Sequence, residues 1–336
     1  MNQKNKPAFT KLLDLAAAKM GGKVLHSTDD FFAEKENLIK EGDAIFVADK
    51  YTDRGKWMDG WESRRKRTPG HDWVIIELAT PGRISGFDVD TSHFLGNHPP
   101  HALIEGINLS GTAELPNWEE VDLSWKEVLP KSQLDPGSHH YYTSTSQEIF
   151  THLKLHIFPD GGVARLRVYG EVEKDWTTQA PDEKIDLASA KVGGKAIHCN
   201  DMFFSHMDNL IMPGRGVDMG DGWETKRNRT PNNHDWVLLR LGHPGCIESI
   251  LIDTCHFKGN YPDTCSIEAC YAENDADVIE DKVNWETILP PQKLSADCEH
   301  TFEKEINKLP KVSHVRLNIF PDGGVSRLRL IGCISI

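Results

Sequence analysis

The stretch HIFPDGGVARLRVYG (His156–Gly170) decides how this chain folds. Apolar and polar residues alternate up to a Pro-Asp-Gly-Gly turn and then resume as Val-Ala-Arg-Leu-Arg-Val, which reads strand, turn, strand. NIFPDGGVSRLRLIG (Asn318–Gly332) repeats it at an offset of 162 residues. A β pattern written twice calls for a search along the whole chain.

Order is kept wherever the two halves are compared. LAAAKMGGKVLHSTDDFFAEKENLI (Leu15–Ile39) matches LASAKVGGKAIHCNDMFFSHMDNLI (Leu187–Ile211). DGWESRRKRTPGHDW (Asp59–Trp73) matches DGWETKRNRTPNNHDW (Asp221–Trp236), the first copy carrying ten extra residues before Asp59. DVDTSHFLGNHP (Asp88–Pro99) pairs with LIDTCHFKGNYP (Leu251–Pro262), and SWKEVLP (Ser124–Pro130) with NWETILP (Asn284–Pro290). This is an internal duplication in units of roughly 160 residues, each large enough for its own core. The charged connector EVEKDWTTQAPDEK (Glu171–Lys184) suits a linker, so the sequence predicts domains at 1–178 and 179–336.

Within each unit the signals are mostly β. HDWVIIELATPG and HDWVLLRLGHPG read as strands stopped by Pro-Gly, and ISGFDVDTSHF and IESILIDTCHF as a second, alternating strand. Only LLDLAAAKM and DLASAKV read as helical, both stopped by Gly-Gly. The expectation is an all-β chain of two tandem jelly-roll β-sandwiches.

Composition excludes several functions. The chain has 336 residues, 38% hydrophobic and 26% charged, with a net charge of −13 that opposes a nucleic-acid partner. RRKR (Arg64–Arg67) is short enough to suit only a small anion. The basic N-terminal stretch is interrupted by Asp14 and Lys19 and is a poor secretory signal, and no window is apolar enough to span a membrane. All 7 cysteines lie in the second half and none forms a CxxC pair, which favours reduced thiols in a cytoplasmic protein. No phosphate-cradling glycine loop or GxSxG elbow is present, and Asp90-x-x-His93 lacks a tight metal-ligand spacing.

The repeated tryptophans Trp61, Trp73, Trp223 and Trp236 read first as core packing. Arg165, Arg167, Arg327 and Arg329 alternate with Leu and read either as ion pairs across the sheet or as an anion clamp. His26 and His198 read as structural. Glu62, Arg65, Arg67 and His71 recur as Glu224, Arg227, Arg229 and His234, while His93 and Asn97 recur as His256 and Asn260. These lie in inter-strand loops, where sandwiches build their sites. A carboxylate, imidazoles, an amide and arginines suit a small anionic, amide-rich ligand or general acid–base work.

On DGWExxRxRT…HDW, DTxHFxGNxP and FPDGGVxRLR, each present twice, the chain resembles the allantoicase family over nearly its whole length. The resemblance implies a galactose-binding-like jelly roll and hydrolysis of allantoate to ureidoglycolate and urea. For such a substrate, Arg65, Arg67, Arg227 and Arg229 suit the carboxylate, and Asn97 and Asn260 the ureido groups. His71, His93, His234 and His256 suit acid and base roles, with Glu62 and Glu224 orienting or acting as base. No cofactor is expected, a divalent metal is left open, and a homo-oligomer is the expected assembly. The rival expectation is a non-catalytic tandem carbohydrate-binding module.

Overall fold

The computed structural model describes residues 6–110, 117–118 and 123–335; the first residues of the basic N-terminal stretch lie outside that range. The chain divides into two compact units, Met1–Lys174 and Asp175–Ile336.

The first unit is built from β1 (Leu13–Asp14), β2 (Lys23–Ser27), β3 (Asp72–Asp90), β4 (His101–Ile107), β5 (Lys126–Gln133), β6 (His139–Thr143), β7 (Ile149–Phe158) and β8 (Arg165–Val172). All pairings are antiparallel. The second unit repeats the set as β9 (Ile185–Asp186), β10 (Lys195–Cys199), β11 (Asp235–Asp253), β12 (Thr264–Cys270), β13 (Glu286–Lys293), β14 (Glu299–Phe302), β15 (Val312–Phe320) and β16 (Arg327–Ile334). Each unit is an antiparallel sandwich of jelly-roll type, as the turn and strand pattern predicts.

One correction concerns the Pro-Gly stops. Pro81-Gly82 does not end a strand; β3 runs for 19 residues straight through it. Asp72–Glu77 pairs with β2 and β7, and β7 continues after a bulge to Gly82–Arg83, whereas Gly82–Asp90 pairs with β8 on the other side and Gly86–Asp90 with β6. The strand thus serves both layers, and the Pro-Gly sits at the change of partners, where a proline costs no ladder hydrogen bond. β11 does the same at Pro244-Gly245. A second correction concerns the two helices. Leu13–Asp14 is a strand and Ala18–Met20 a single 3-10 turn closed by Gly21 at φ 104°; the second copy is alike. Apolar spacing over so few residues fits a strand edge followed by a turn as well as it fits a helix.

The core of the first unit gathers Leu15, Trp61, Val74, Ile76, Phe87, Ile104, Leu155 and Leu166 from both layers. The string DGWE can now be read residue by residue. Asp59 forms a buried ion pair with Arg165 (Oδ2–Nη2 2.8 Å). A side chain on Gly60 would meet the Val163 carbonyl at 2.6 Å. Trp61 is fully buried, and its indole N–H donates to the Asp29 carbonyl (2.8 Å). Glu62, the last of the four, is half-buried. Asp221, Gly222, Trp223 and Glu224 repeat every one of these contacts, with Arg327 as the ion-pair partner.

Arg167 and Arg329 donate to loop carbonyls, of Lys40 and Gly42 in one unit and Met212 and Gly214 in the other. All four alternating arginines are therefore structural. His26 and His198 pack against Trp73 and Trp236 (ring centroids 5.2 and 5.4 Å), as a structural reading expects.

Candidate functional site

The Pro-Asp-Gly-Gly turn and the Gly-Asn loop are locked together before any site chemistry enters. Gly161 has φ 140°, and a side chain there would meet the Asn97 carbonyl at 2.6 Å. Gly162 donates its N–H to that carbonyl (2.8 Å), and a Cβ on it would stand 2.0 Å from the Phe94 ring. Glycine is therefore required twice in succession, and Asn97 is fixed through its backbone. Its side chain is left free to donate from Nδ2 to Glu62 Oε1 (2.7 Å). Gly323, Gly324, Phe257, Asn260 and Glu224 build the same pair in the second unit.

Four guanidinium groups follow these glutamates in sequence. Arg65, Arg67, Arg227 and Arg229 are all exposed, and none has a hydrogen bond or ion pair among the described residues. Their neighbours are committed: Arg64 pairs with Asp29 (2.6 Å), and Lys66 with Asp72 (2.7 Å). In the second unit the arrangement opens onto a cavity of about 650 Å³ lined by Glu224, Arg227, Arg229 and Asn260, with Tyr261 and Asp263 at its edge. Two uncommitted cations, an amide and a carboxylate thus face one space, a set that fits a small anion rich in amide groups.

The histidines separate into two kinds. His93 and His256 sit at φ 71° and 69° in the turn after the long strand. Each binds a carbonyl of a passing loop through Nε2: Ala44 O at 3.0 Å and Gly216 O at 2.9 Å. His256 does not line the cavity. Both act on this geometry as loop anchors. His71 and His234 begin the long strands and lie against Phe158 and Phe320, the residues just before Pro159 and Pro321 (ring centroids 4.3 and 5.0 Å). Pro321, next in sequence to the Phe320 that His234 packs on, lines the cavity.

Two residues that sequence reasoning missed stand behind His71. His71 Nε2 lies 2.8 Å from His156 Nδ1, and His156 Nε2 lies 2.8 Å from Glu105 Oε2. His156 and Glu105 carried no usable signal, because each occupies an ordinary alternating strand position. Local fields push the first unit's titratable groups toward one another. Burial raises the Glu62 carboxyl, against the opposing Asn97 hydrogen bond. Burial lowers His71, aided by Lys154, Lys66 and Lys131 and opposed by Asp72. Glu62 pairs with Gly162 and His71 stacks on Phe158, so both attach to one five-residue turn, at most about 15 Å of chain. Among the described residues no cluster of His, Cys, Asp and Glu has the geometry to hold a metal ion.

Comparison with known proteins identifies the family. The allantoicase repeat family model matches residues 13–173 and again 185–335. A probable allantoicase of Pseudomonas fluorescens (strain SBW25) is 48% identical over 329 residues, covering 97% of this chain and 98% of that protein. One of Pseudomonas aeruginosa (strain UCBPP-PA14) is 48% identical over 334 residues, covering 99% and 98%. The crystal structure of allantoicase from Saccharomyces cerevisiae has a TM-score of 0.77 and 38% identity, covering 96% of this chain and 93% of that one. This chain belongs to the allantoicase family.

Proposed function

We propose that this protein hydrolyses allantoate to ureidoglycolate and urea, a step of purine breakdown, and that each unit's Glu–Asn–Arg–Arg set binds the ureide. The observation that carries the reading is the free pair of arginines facing a carboxylate already held by an amide. An arginine takes the substrate carboxylate through two parallel hydrogen bonds. Asn97 and Asn260 complement the ureido groups while orienting Glu62 and Glu224. Cleavage needs water at the central carbon and a proton on the departing nitrogen. Glu62, raised by burial, suits the proton donor. No step is assigned to a metal.

A carbohydrate-binding module is disfavoured, since two unpaired arginines face the cavity, beside Phe204 and Tyr261, and the family match is to allantoicase repeats. A cytoplasmic location accords with seven unpaired cysteines, and no helix among the described residues is long and apolar enough to cross a membrane. Exposed Phe203, Phe204 and Val217 support assembly into a homo-oligomer.

The test is urea release from allantoate, with allantoin as the inert control because its ring locks one ureido group. Glu62→Gln combined with Glu224→Gln should lower kcat on the order of 10²-fold with the circular dichroism spectrum unchanged. Normal turnover in that double variant would remove both carboxylates from the chemistry.

A further inference from the structure

The first unit holds a three-residue chain that the second lacks. We propose that Glu105 and His156 are positioning residues that fix the tautomer of His71, so that His71 Nδ1 serves as the base of the first unit. The inference rests on the urea-releasing reading above for its substrate.

The direction follows from hydrogen-bond bookkeeping. A carboxylate only accepts, so Glu105 Oε2 requires the proton on His156 Nε2. His156 Nδ1 is then an acceptor and requires the proton on His71 Nε2. The one ring atom left is His71 Nδ1, which has no hydrogen-bond partner among the described residues. It bears a lone pair. Burial and flanking Lys154 keep His156 neutral, as the chain requires. The groups facing His71 are Lys66 and Asp72 from its own segment, Lys154 and His156 from β7 and Lys131 from β5. Lys66 is spent on Asp72, and Lys154 lies over the Trp73 ring at 4.1 Å.

The corresponding residues of the second unit are wired otherwise. Asn318 stands where the first unit has His156, and its amide donates to Glu268 (3.0 Å). Arg316 neutralises the same carboxylate (2.7 Å). His234 is left with its ring contact to Phe320 and no relay behind it.

In the reaction, water adds to the central carbon as its proton passes to His71 Nδ1. The C–N bond to one ureido group breaks, and the departing nitrogen takes the proton of Glu62. Urea leaves neutral; His71 gives its proton to solvent, and Glu62 regains one from it.

Nitrogen-15 labelling of histidine in the full chain reads the tautomer directly. Wild-type His71 should show a protonated Nε2 and a bare Nδ1. Glu105→Gln, whose amide donates as readily as it accepts, should let the Nδ1-protonated form appear. It should also lower kcat roughly tenfold, with KM within about twofold. Glu105→Asp keeps a carboxylate and should retain both the tautomer and most of kcat. His156→Asn, which copies the second unit, should fall with Glu105→Gln. A wild-type His71 protonated on Nδ1 would overturn the relay, as would a Glu105→Gln variant with unchanged tautomer. A changed tautomer with unchanged kcat would remove His71 as the base. Should wild-type protein release no urea, the functional reading falls, while the tautomer still decides the direction of the relay.

Discussion

The loop from Ser63 to His71 is stitched down in the first unit and looser in the second. In the first, Lys66 reaches Asp72, its backbone N–H binds Asp160 (2.8 Å), and His71 is wired to Glu105. In the second, Asn228 replaces Lys66: its backbone N–H keeps the contact to Asp322 (2.7 Å) and its side chain accepts from the Thr230 N–H (3.0 Å), while Asn200, the counterpart of Thr28, binds Asp235 (2.8 Å). The frame beneath is the same in both: tryptophan, ion pair, paired glycines. Duplication has therefore held the packing fixed and let the polar layer above it diverge. Packing leaves little room for change, because a methyl group placed on either second glycine of the turn would collide with an aromatic ring.

A further contrast lies at the end of the long strand. Asp90 and Asp253 are both buried. The first unit compensates its acids with His139, 2.9 Å from Asp88 and 3.9 Å from Asp90. The second uses Arg215, 2.9 Å from Asp253. One counter-charge is an imidazole, which can lose its proton, and the other a guanidinium, which keeps its charge.

The largest expected effect tests the shared frame. Arg165→Met and Arg327→Met each leave a buried carboxylate without its cation, at a cost on the order of 3–5 kcal/mol. Denaturant unfolding should show similar losses for the two; a loss in one unit alone would end the claim of a common frame. Next comes the division of labour. If the relay makes the first unit the faster site, Arg65→Ala should lower kcat/KM at least tenfold and Arg227→Ala by less. A reversed ranking would move turnover to the second unit, and equal losses would make the copies equivalent.

A smaller effect concerns pH. The Asp88 hydrogen bond raises His139, with burial opposing and Asp90 assisting. A raised native pKa contributes stability that is fully present below about 6.5 and is lost as pH rises through the native value. His139→Gln should remove this dependence from the first unit's melting curves. No matching dependence is expected from the second unit at Arg215. Melting curves of the mutant that keep the wild-type slope would place the titration elsewhere. Smallest of all, His93→Ala and His256→Ala each break one bond to a carbonyl. About 1 kcal/mol should be lost, with kcat nearly unchanged; a 10²-fold fall in kcat would return these residues to the chemistry.

Much was written in the sequence. The doubled FPDGG and DGWE strings gave the duplication, the β class and the sandwich, because turn glycines and core tryptophans are fixed by local sterics and by burial. They also brought forward Glu62, Asn97, Arg65 and Arg67 with their copies, which the fold then gathers around one turn and one loop. Tertiary structure alone decided the rest. Whether Arg165 clamps a ligand or a buried Asp59 depends on a partner 106 residues away, and whether His93 faces a ligand or a carbonyl depends on a loop 49 residues distant. The relay is the clearest case. Glu105 and His156 occupy unremarkable positions on neighbouring strands, and only the antiparallel register of β4 and β7 sets the carboxylate within reach of the imidazole. Long-range pairing places one strand's residues against another's, and no local pattern encodes which residue will stand opposite.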